Sequence, residues 1–144
     1  MNTATHPTNR GAGPASARIR VGDAMHHGVL TCRRDASLAD VAELMARHRV
    51  HCVVVTDDAD DPNALWGIVS DLDLAAASSV RDLEEQTAGA AAATTPLTVE
   101  PGETLQRAAQ LMTEHGSAHL VVVDRNGKPE GVVSTLDIAA ALAR

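Results

Sequence analysis

Gly67-Ile68-Val69-Ser70-Asp71-Leu72-Asp73 is a stretch that the chain repeats as Gly131-Val132-Val133-Ser134-Thr135-Leu136-Asp137. In each copy a glycine opens a short β-branched run, which predicts a buried strand. An alanine-rich segment follows each copy, and alanine favours a helix. The serine stands at the junction, where its side-chain oxygen can accept a hydrogen bond from a free amide of the helix. Each copy therefore predicts a strand that leads directly into a serine-capped helix.

Comparing the chain with itself extends this repeat over most of the sequence. The two halves align with a shift of 67 residues, which becomes 64 after the hairpin; the matched segments include Leu30-Thr31 with Leu97-Thr98, Leu44-Met45 with Leu111-Met112, Val54-Val55 with Val121-Val122, and Gly67 with Gly131. Each copy predicts a short strand, a helix that begins after Ser37 or Thr104, a second strand, a hairpin, and the strand–helix stretch above. Neither copy alone could bury a sheet face and two helices. We therefore predict an α/β fold in which two β-α-β-β-α repeats pack as a pseudo-twofold pair.

The repeat also sets the expected boundaries along the chain. We assign residues 18–80 to the first repeat and residues 81–144 to the second. Residues 1–17 are rich in Thr, Pro, Gly, Ala and Ser without periodicity, which predicts a disordered N-terminal tail. Within the hairpin of the first repeat, residues 57–64, the acidic run from Asp57 to Asp61 is expected to be a solvated loop. In the second repeat, Asn126-Gly127 predicts a tight hairpin turn.

Composition limits the classes of partner. The formal net charge is −7 and no basic run occurs, so a nucleic acid is not an expected partner. No apolar stretch approaches the ~20 residues that span a bilayer, and no secretory signal is recognisable. Cys32 and Cys52 are expected to be reduced thiols of a cytoplasmic protein. Trp66 is the only aromatic side chain of the Phe, Tyr and Trp class, so a bound base would be held by aliphatic side chains.

The repeated Ser-x-x-Asp pattern suggests a binding site as well as a helix cap. A helix N-terminus with exposed amides can receive a phosphate, and a carboxylate one turn away can receive the hydroxyls of a ribose. Ser70 with Asp73, and Ser134 with Asp137, could in this way meet both ends of a nucleotide. The alternative is that each pair is a helix cap and nothing more.

The tandem β-α-β-β-α unit with a glycine-led strand ending in Ser-x-x-Asp resembles the CBS domain, and the pair resembles a Bateman module. The resemblance covers Val21 to Ala143, and its matching segments are Val21-Gly22-Asp23-Ala24-Met25, Leu30-Thr31, Ser37-Leu38, the run from Arg49 to Asp57, the run from Gly116 to Asp124, and the two Ser-x-x-Asp stretches. It implies a protein that binds an adenosyl compound in clefts between the repeats. The expected compounds are AMP, ADP, ATP or S-adenosylmethionine, as regulatory ligands and not as required cofactors.

The resemblance also implies roles for particular residues. The implied contacts are Asp73 and Asp137 to ribose hydroxyls, Ser70 and Ser134 to ribose or phosphate, Thr31 and Thr98 to the cleft from the first strand of each repeat, and His51 to phosphate, with Ala118 at the matching place in the second copy. His51, Arg33 and Arg34 all belong to the first copy, so we expect loss of Asp73 to weaken binding more than loss of Asp137. The sequence does not assign which groups cross from one repeat to the other's cleft. Trp66 is expected near the wall of a cleft.

These observations predict a stand-alone regulatory module that senses an adenine nucleotide and signals to a partner protein. The alternative function is a ligand-independent oligomerising or scaffold protein that has kept the fold without a working site. The alanine-rich helices predict a homodimer. We expect no enzyme activity, since no cysteine or serine has a base and an orienting acid in its sequence context. The seven histidines lack the spacing of a structural zinc site, so no metal is expected.

Overall fold

The computed structural model describes residues 13–58, 61–94 and 96–143 of the chain. The helices and strands of these residues are α1 (Val21–Ala24), β1 (His26–His27), β2 (Thr31–Arg33), α2 (Leu38–His48), β3 (Cys52–Asp58), β4 (Asp61–Ser70), α3 (Asp71–Ser78), α4 (Ala88–Ala91), β5 (Ala93–Thr94), β6 (Thr98–Val99), α5 (Leu105–His115), β7 (His119–Val123), β8 (Pro129–Ser134) and α6 (Thr135–Leu142). Two 3-10 turns lie at Ala15–Ala17 and Leu83–Glu85. The order of elements repeats once, as the sequence predicts.

The strands form two four-stranded sheets, and each sheet takes one edge strand from the other repeat. One sheet has the order β2-β3-β4-β5 and the other has the order β1-β8-β7-β6. The leading strand β1 pairs antiparallel with β8 of the second repeat, with His26 opposite Val132. In the same way β5 pairs with β4 of the first repeat, with Ala93 opposite Ile68. The pseudo-twofold pair is confirmed, and the exchange of edge strands is an addition to it.

Three groups of buried apolar side chains hold the repeats together. Val53 and Val55 of β3 face the helices of the first repeat, whereas Val54 faces the other way and meets Val121 of the second repeat. Val54 and Val121 are both fully buried. Complete burial of a valine stabilises a fold by about 1.5–3 kcal/mol, so the contact between the two sheets contributes to the stability of both repeats.

The long helices begin at the expected caps. The side-chain oxygen of Ser37 accepts a hydrogen bond from the amide of Asp40 at the start of α2. Thr104 accepts one from the amide of Arg107 at the start of α5. Both helices then bury a stripe with spacing i, i+3, i+7, formed by Leu38, Val41 and Met45 in α2 and by Leu105, Ala108 and Met112 in α5.

The acidic hairpin of the first repeat is a correction to the sequence analysis. The strands extend further into residues 57–64 than predicted, because β3 continues to Asp58 and β4 begins at Asp61. Asp57 and Asp61 are nevertheless exposed, as a solvated run requires. Asp58 lies opposite Asp61 in the pairing, with irregular register further along the hairpin. Backbone hydrogen bonds do not require apolar side chains, so β3 and β4 can extend through the polar residues of this hairpin.

The turn of the second hairpin is as predicted, and the predicted N-terminal tail lies mostly outside the described residues. Gly127 has a φ of +81° in the turn between β7 and β8, as the Asn-Gly pair predicts. Of the predicted tail, residues 1–12 lie outside the described residues, and the turn at Ala15–Ala17 lies against α5. None of the helices in the described part of the chain has the length and apolarity needed to cross a membrane.

Candidate functional site

A cleft of about 490 Å³ lies between the two repeats, and we name it the Asp137 cleft. It is lined by His26, His27, Gly28, Val29, Leu30, His48, Arg49, Val50, His51, Cys52, His119, Val132, Ser134 and Asp137. The first ten of these residues belong to the first repeat, and the last four belong to the second. The exchange of β1 explains this arrangement, since the pairing of β1 with β8 brings residues 26–30 beside the end of β8 and the start of α6.

Asp137 is held by the start of its own helix. Its Oδ2 accepts hydrogen bonds from the backbone amide of Ser134 at 2.8 Å and from the Ser134 hydroxyl at 3.0 Å. The amide of Asp137 donates in return to Ser134 Oγ at 3.2 Å, which completes a capping box. Its other oxygen, Oδ1, lies 2.9 Å from Nδ1 of His26, across the boundary between the repeats. Asp137 is only 7% exposed, so it is part of the helix cap through Oδ2, while Oδ1 pairs with His26 of the cleft lining.

Asp73 forms the same cap in the first repeat but does not line the Asp137 cleft. Its Oδ2 accepts from the amide of Ser70 at 2.8 Å, and its own amide donates to Ser70 Oγ at 3.1 Å. The two carboxylates are thus equivalent in their local structure and separate in position. Both motifs form helix caps through Oδ2 of the aspartate. Any contact of these carboxylates with a ligand therefore falls to Oδ1.

Imidazoles dominate the polar lining of the Asp137 cleft. Of the lining residues, the histidines are His26, His27, His48, His51 and His119, and the permanent cation is Arg49. Arg49 ends α2 in the left-handed conformation, with φ 54° and ψ 46°, where the second repeat has Gly116. A residue other than glycine costs roughly 1–2 kcal/mol in this conformation. Such strain is found where a side chain is needed at a site, and here it accompanies a guanidinium in the cleft wall.

A smaller cavity of about 250 Å³ adjoins this cleft, because His51, His119 and Ser134 line both. The smaller cavity also includes Asp71, the first residue of α3. Nδ1 of His51 donates to Oδ2 of Asp71 at 2.8 Å. This hydrogen bond lowers the pKa of Asp71, so the carboxylate stays ionised and holds the ring of His51 in place.

Burial shifts the pKa values of His119 and Cys52, which line the cleft, and of Cys32, which does not. It lowers the pKa of His119, while the charge of Asp71 acts in the opposite direction. It raises the pKa of Cys52 to about 12 and the pKa of Cys32 to about 11. Both thiols are therefore protonated at neutral pH, and a protonated thiol is a poor nucleophile.

In residues 13–58, 61–94 and 96–143, no group of three or more His, Cys, Asp or Glu side chains has an arrangement that could hold a metal ion.

The sequence profile of the CBS domain matches this chain twice, over residues 21–80 and 88–144. The chain belongs to the CBS domain family. The two β-α-β-β-α repeats and their exchanged edge strands are the two CBS domains of one pair, and the Asp137 cleft lies between them.

Known CBS proteins resemble this pair along most of its length. The CBS domain protein PAE2072 from Pyrobaculum aerophilum, solved in complex with AMP, is 31% identical with a TM-score of 0.75 over 87% of this chain and 98% of that one. CBSX2, also solved in complex with AMP, is 28% identical with a TM-score of 0.71 over 87% of this chain and 96% of that one. An uncharacterized protein of Methanopyrus kandleri, MK0525, is 29% identical over 83% of this chain. This CBS pair spans 61% of that protein's length.

The Asp137 cleft brings together three of the eight residues that the resemblance implied, namely His51, Ser134 and Asp137. The others lie outside its lining: Thr31, Ser70, Asp73, Thr98 and Ala118. The neighbour of Ala118, His119, faces the cleft instead. The sequence does not assign which groups cross between the repeats, and the structure places His51 of the first repeat in the same cleft as Asp137 of the second.

The functional candidates that sequence reasoning missed are His26, His27, Arg49 and His119. A pair of adjacent histidines directly before Gly28 was visible, but nothing in it showed which sheet the segment would join. The Arg49 position could have been found from the aligned Gly116, since glycine often ends a helix in the left-handed conformation.

Trp66 lies in a different part of the fold from the Asp137 cleft, together with Arg33 at the end of β2 and Arg34 after it. The Arg34 guanidinium lies 3.7 Å from the centre of the Trp66 ring and 2.6 Å from Oδ1 of Asp57. The indole Nε1 of Trp66 donates to the carbonyl of Gly89 at 3.0 Å. Trp66 does not line the Asp137 cleft, and neither do the arginines. The two arginines therefore do not join His51 in the Asp137 cleft, and the position of Trp66 near the wall of a cleft stays a prediction.

Proposed function

We propose that this CBS pair is a regulatory module that binds an adenine nucleotide in the Asp137 cleft. The observation that carries the proposal is the position of the Asp137 carboxylate. One oxygen is anchored by a capping box, and the other pairs with the imidazole of His26 from the other repeat. The AMP complexes of similar CBS proteins support the same ligand class. AMP, ADP, ATP and S-adenosylmethionine are the candidates, and none is a required cofactor.

The chemistry of the cleft matches the three parts of a nucleotide. A carboxylate only accepts hydrogen bonds, and Asp137 Oδ1 can receive the ribose hydroxyls once the exposed ring of His26 turns away from it. Arg49 and the imidazoles suit a phosphate, which prefers guanidinium and other charged donors. Val29, Leu30, Val50 and Val132 offer aliphatic surface for a base. This distribution supports a ligand that spans from the second repeat to the first.

Such a ligand would act by shifting a conformational population. It contacts both repeats at once, so it favours the arrangement in which the repeats fit it best. An unidentified effector protein would read that arrangement, and no chemical step is involved. The two free thiols are in keeping with the proposed location in the cytoplasm.

A thermal-shift screen tests this function. A ligand present at ~100 times its dissociation constant adds about 2.7 kcal/mol to the free energy of unfolding. For a chain of this length that corresponds to a rise in melting temperature of roughly 5–10 °C. We expect this rise with at least one of AMP, ADP, ATP and S-adenosylmethionine, and a smaller one with GMP as the control. No rise with any of them at millimolar concentration would favour the scaffold function.

We further propose that the module is a homodimer that pairs through α3 and α6. Leu72 is 75% exposed and Leu136 is 67% exposed, at equivalent positions in these helices. Exposed alanines follow each leucine at spacings of three and four residues, namely Ala75 and Ala76 in α3, and Ala139 and Ala140 in α6. Small side chains in such a stripe allow a helix of a second copy to approach closely. A self-complementary contact of this kind is typical of twofold dimers.

Changing both leucines to glutamate should convert the dimer into a monomer. The variant Leu72→Glu/Leu136→Glu places a charge in each stripe, where burial without a partner is costly. Light scattering should give twice the chain mass of 15.0 kDa for the parent and 15.0 kDa for the variant. Val80→Glu is the control, because Val80 is equally exposed but lies beyond the end of α3. A parent of 15.0 kDa across micromolar concentrations would contradict the proposal.

A further inference from the structure

Five of the chain's seven histidines line the Asp137 cleft. They come from four places in the fold. His26 and His27 form β1, His48 is the last residue of α2, His51 follows the Arg49 turn, and His119 begins β7. The protein carries a net charge of −7 with its histidines neutral, yet Asp137 is the one carboxylate among the residues that line this cleft.

The gathering of imidazoles is not a consequence of the fold itself. The repeat provides a comparison within the same chain, because each lining position of the first repeat has an equivalent in the second. The equivalents of His26, His27, His48, Arg49 and His51 are Ala93, Thr94, His115, Gly116 and Ala118, and the equivalent of His119 is Cys52. One imidazole of five is matched, and the guanidinium is not. The same backbone is therefore built elsewhere in this chain without these groups.

We propose that nucleotide binding in the Asp137 cleft is coupled to proton uptake by these imidazoles. The preference for phosphorylated over unphosphorylated adenosine then rises as pH falls from 8.0 to 6.5. This inference rests on the proposed function and adds regulation by pH to it. The ligand class it selects is an adenosyl compound with a phosphate chain, in preference to one without.

The sign of the effect follows from the charges that face the imidazoles. Imidazole ordinarily titrates near pH 6.5, and a nearby anion favours its charged form. A bound phosphate chain therefore raises the fraction of imidazolium, and by linkage a lower pH strengthens phosphate binding. His119, whose pKa burial lowers, would gain a proton when the anion enters. The phosphate itself has a second pKa near 6, so it is mostly dianionic above pH 6.5, and its own protonation toward pH 6.5 would weaken binding and oppose the expected effect.

Every other charged group beside the cleft is accounted for in this balance. Asp137 pairs with His26 at 2.9 Å, and Asp71 pairs with His51 at 2.8 Å. The charges of Asp71, Asp73 and Asp137 raise the pKa of His119, and the charge of His51 lowers it. Arg49 stays charged at all relevant pH values, and the Cys52 thiol stays neutral because burial raises its pKa to about 12. The His26–Asp137 contact affects ribose binding in adenosine and in ATP alike, so a ratio of the two affinities cancels it.

Calorimetric titrations of the full chain with adenosine, AMP and ATP at pH 8.0, 7.2 and 6.5 test the coupling. Each imidazole whose pKa the anion raises by one unit increases the ATP-to-adenosine affinity ratio about fourfold between pH 8.0 and 6.5. We expect an increase of at least that size, larger for ATP than for AMP. Titrations in two buffers with different ionisation enthalpies should show net proton uptake with ATP and less with adenosine.

Matched glutamine variants assign the effect to the cleft. His51→Gln/His119→Gln should reduce the pH dependence of the ratio and the proton uptake. His115→Gln is the control, because His115 ends α5 with its Nδ1 3.0 Å from the carbonyl of Leu111 and does not line the cleft. A ratio that stays within twofold over the pH range in the parent would overturn the coupling and leave the nucleotide site standing. Absence of binding by all three compounds at every pH would overturn the proposed function together with it.

Discussion

Replacing Gly131 by alanine is expected to lower the free energy of unfolding by about 1–3 kcal/mol, the range typical of overpacking. A Cβ at this position would overlap the carbonyl oxygen of His26 and the terminal methyl of Met25. Gly131 lies opposite His27 where β8 pairs with β1. The backbone of β1 cannot move away without losing this pairing, and β1 carries two of the imidazoles of the Asp137 cleft.

Urea unfolding of the parent and the variant measures this change. Gly102→Ala is the control, because a Cβ there meets no heavy atom within 4 Å, and its effect should stay within about 0.5 kcal/mol. Nucleotide binding should fall together with stability in Gly131→Ala, because β1 forms part of the cleft. Equal stability of the two variants would show that β1 does not pack on β8 in this way.

Replacing Asp137 by alanine should weaken AMP binding by at least roughly tenfold, because hydrogen bonds to a charged acceptor are worth about 1.5–3 kcal/mol each. The change also removes the Asp137 half of the capping box, while the N-cap residue Ser134 remains. We expect this to cost about 1 kcal/mol of stability. The burial of Asp137 and its bonds to Ser134 are the reason for this cost. Asp137→Asn keeps the shape and an acceptor for the cap, and removes the charge.

Asp73 provides the matched control for this effect. It forms the same capping box with Ser70 but lies outside the Asp137 cleft. Asp73→Ala should therefore cost a similar amount of stability and leave AMP affinity in the Asp137 cleft within about threefold of the parent's value. Calorimetry with AMP on both alanine variants separates the two roles. If Asp73→Ala weakens binding more than Asp137→Ala, the assignment of the cleft is wrong.

Much of the fold could be predicted from local patterns. The caps at Ser37 and Thr104 and the strand–helix junctions at Ser70 and Ser134 depend on residues within a few positions of one another, and all four formed as expected. Periodicity of apolar residues gave the buried stripes of α2 and α5. These features are encoded over one or two turns, which is the range at which a single sequence is informative.

The composition of the site could not be predicted in the same way. β1 is two residues long, and so short a strand has no periodicity from which to read its partner. Its pairing with β8 of the second repeat brings His26 and His27 to Asp137. The length of the strands in the first hairpin was missed for a related reason. These strands continue through polar residues, whose backbone groups pair whatever the side chain.

A crystal structure of the chain with AMP tests the central claim most directly. We expect the ribose hydroxyls to lie about 2.6–3.2 Å from the Asp137 carboxylate, with the phosphate near Arg49 and the imidazoles of the first repeat. AMP bound at Asp73 with the Asp137 cleft empty, or no AMP bound at millimolar concentration, would contradict the account.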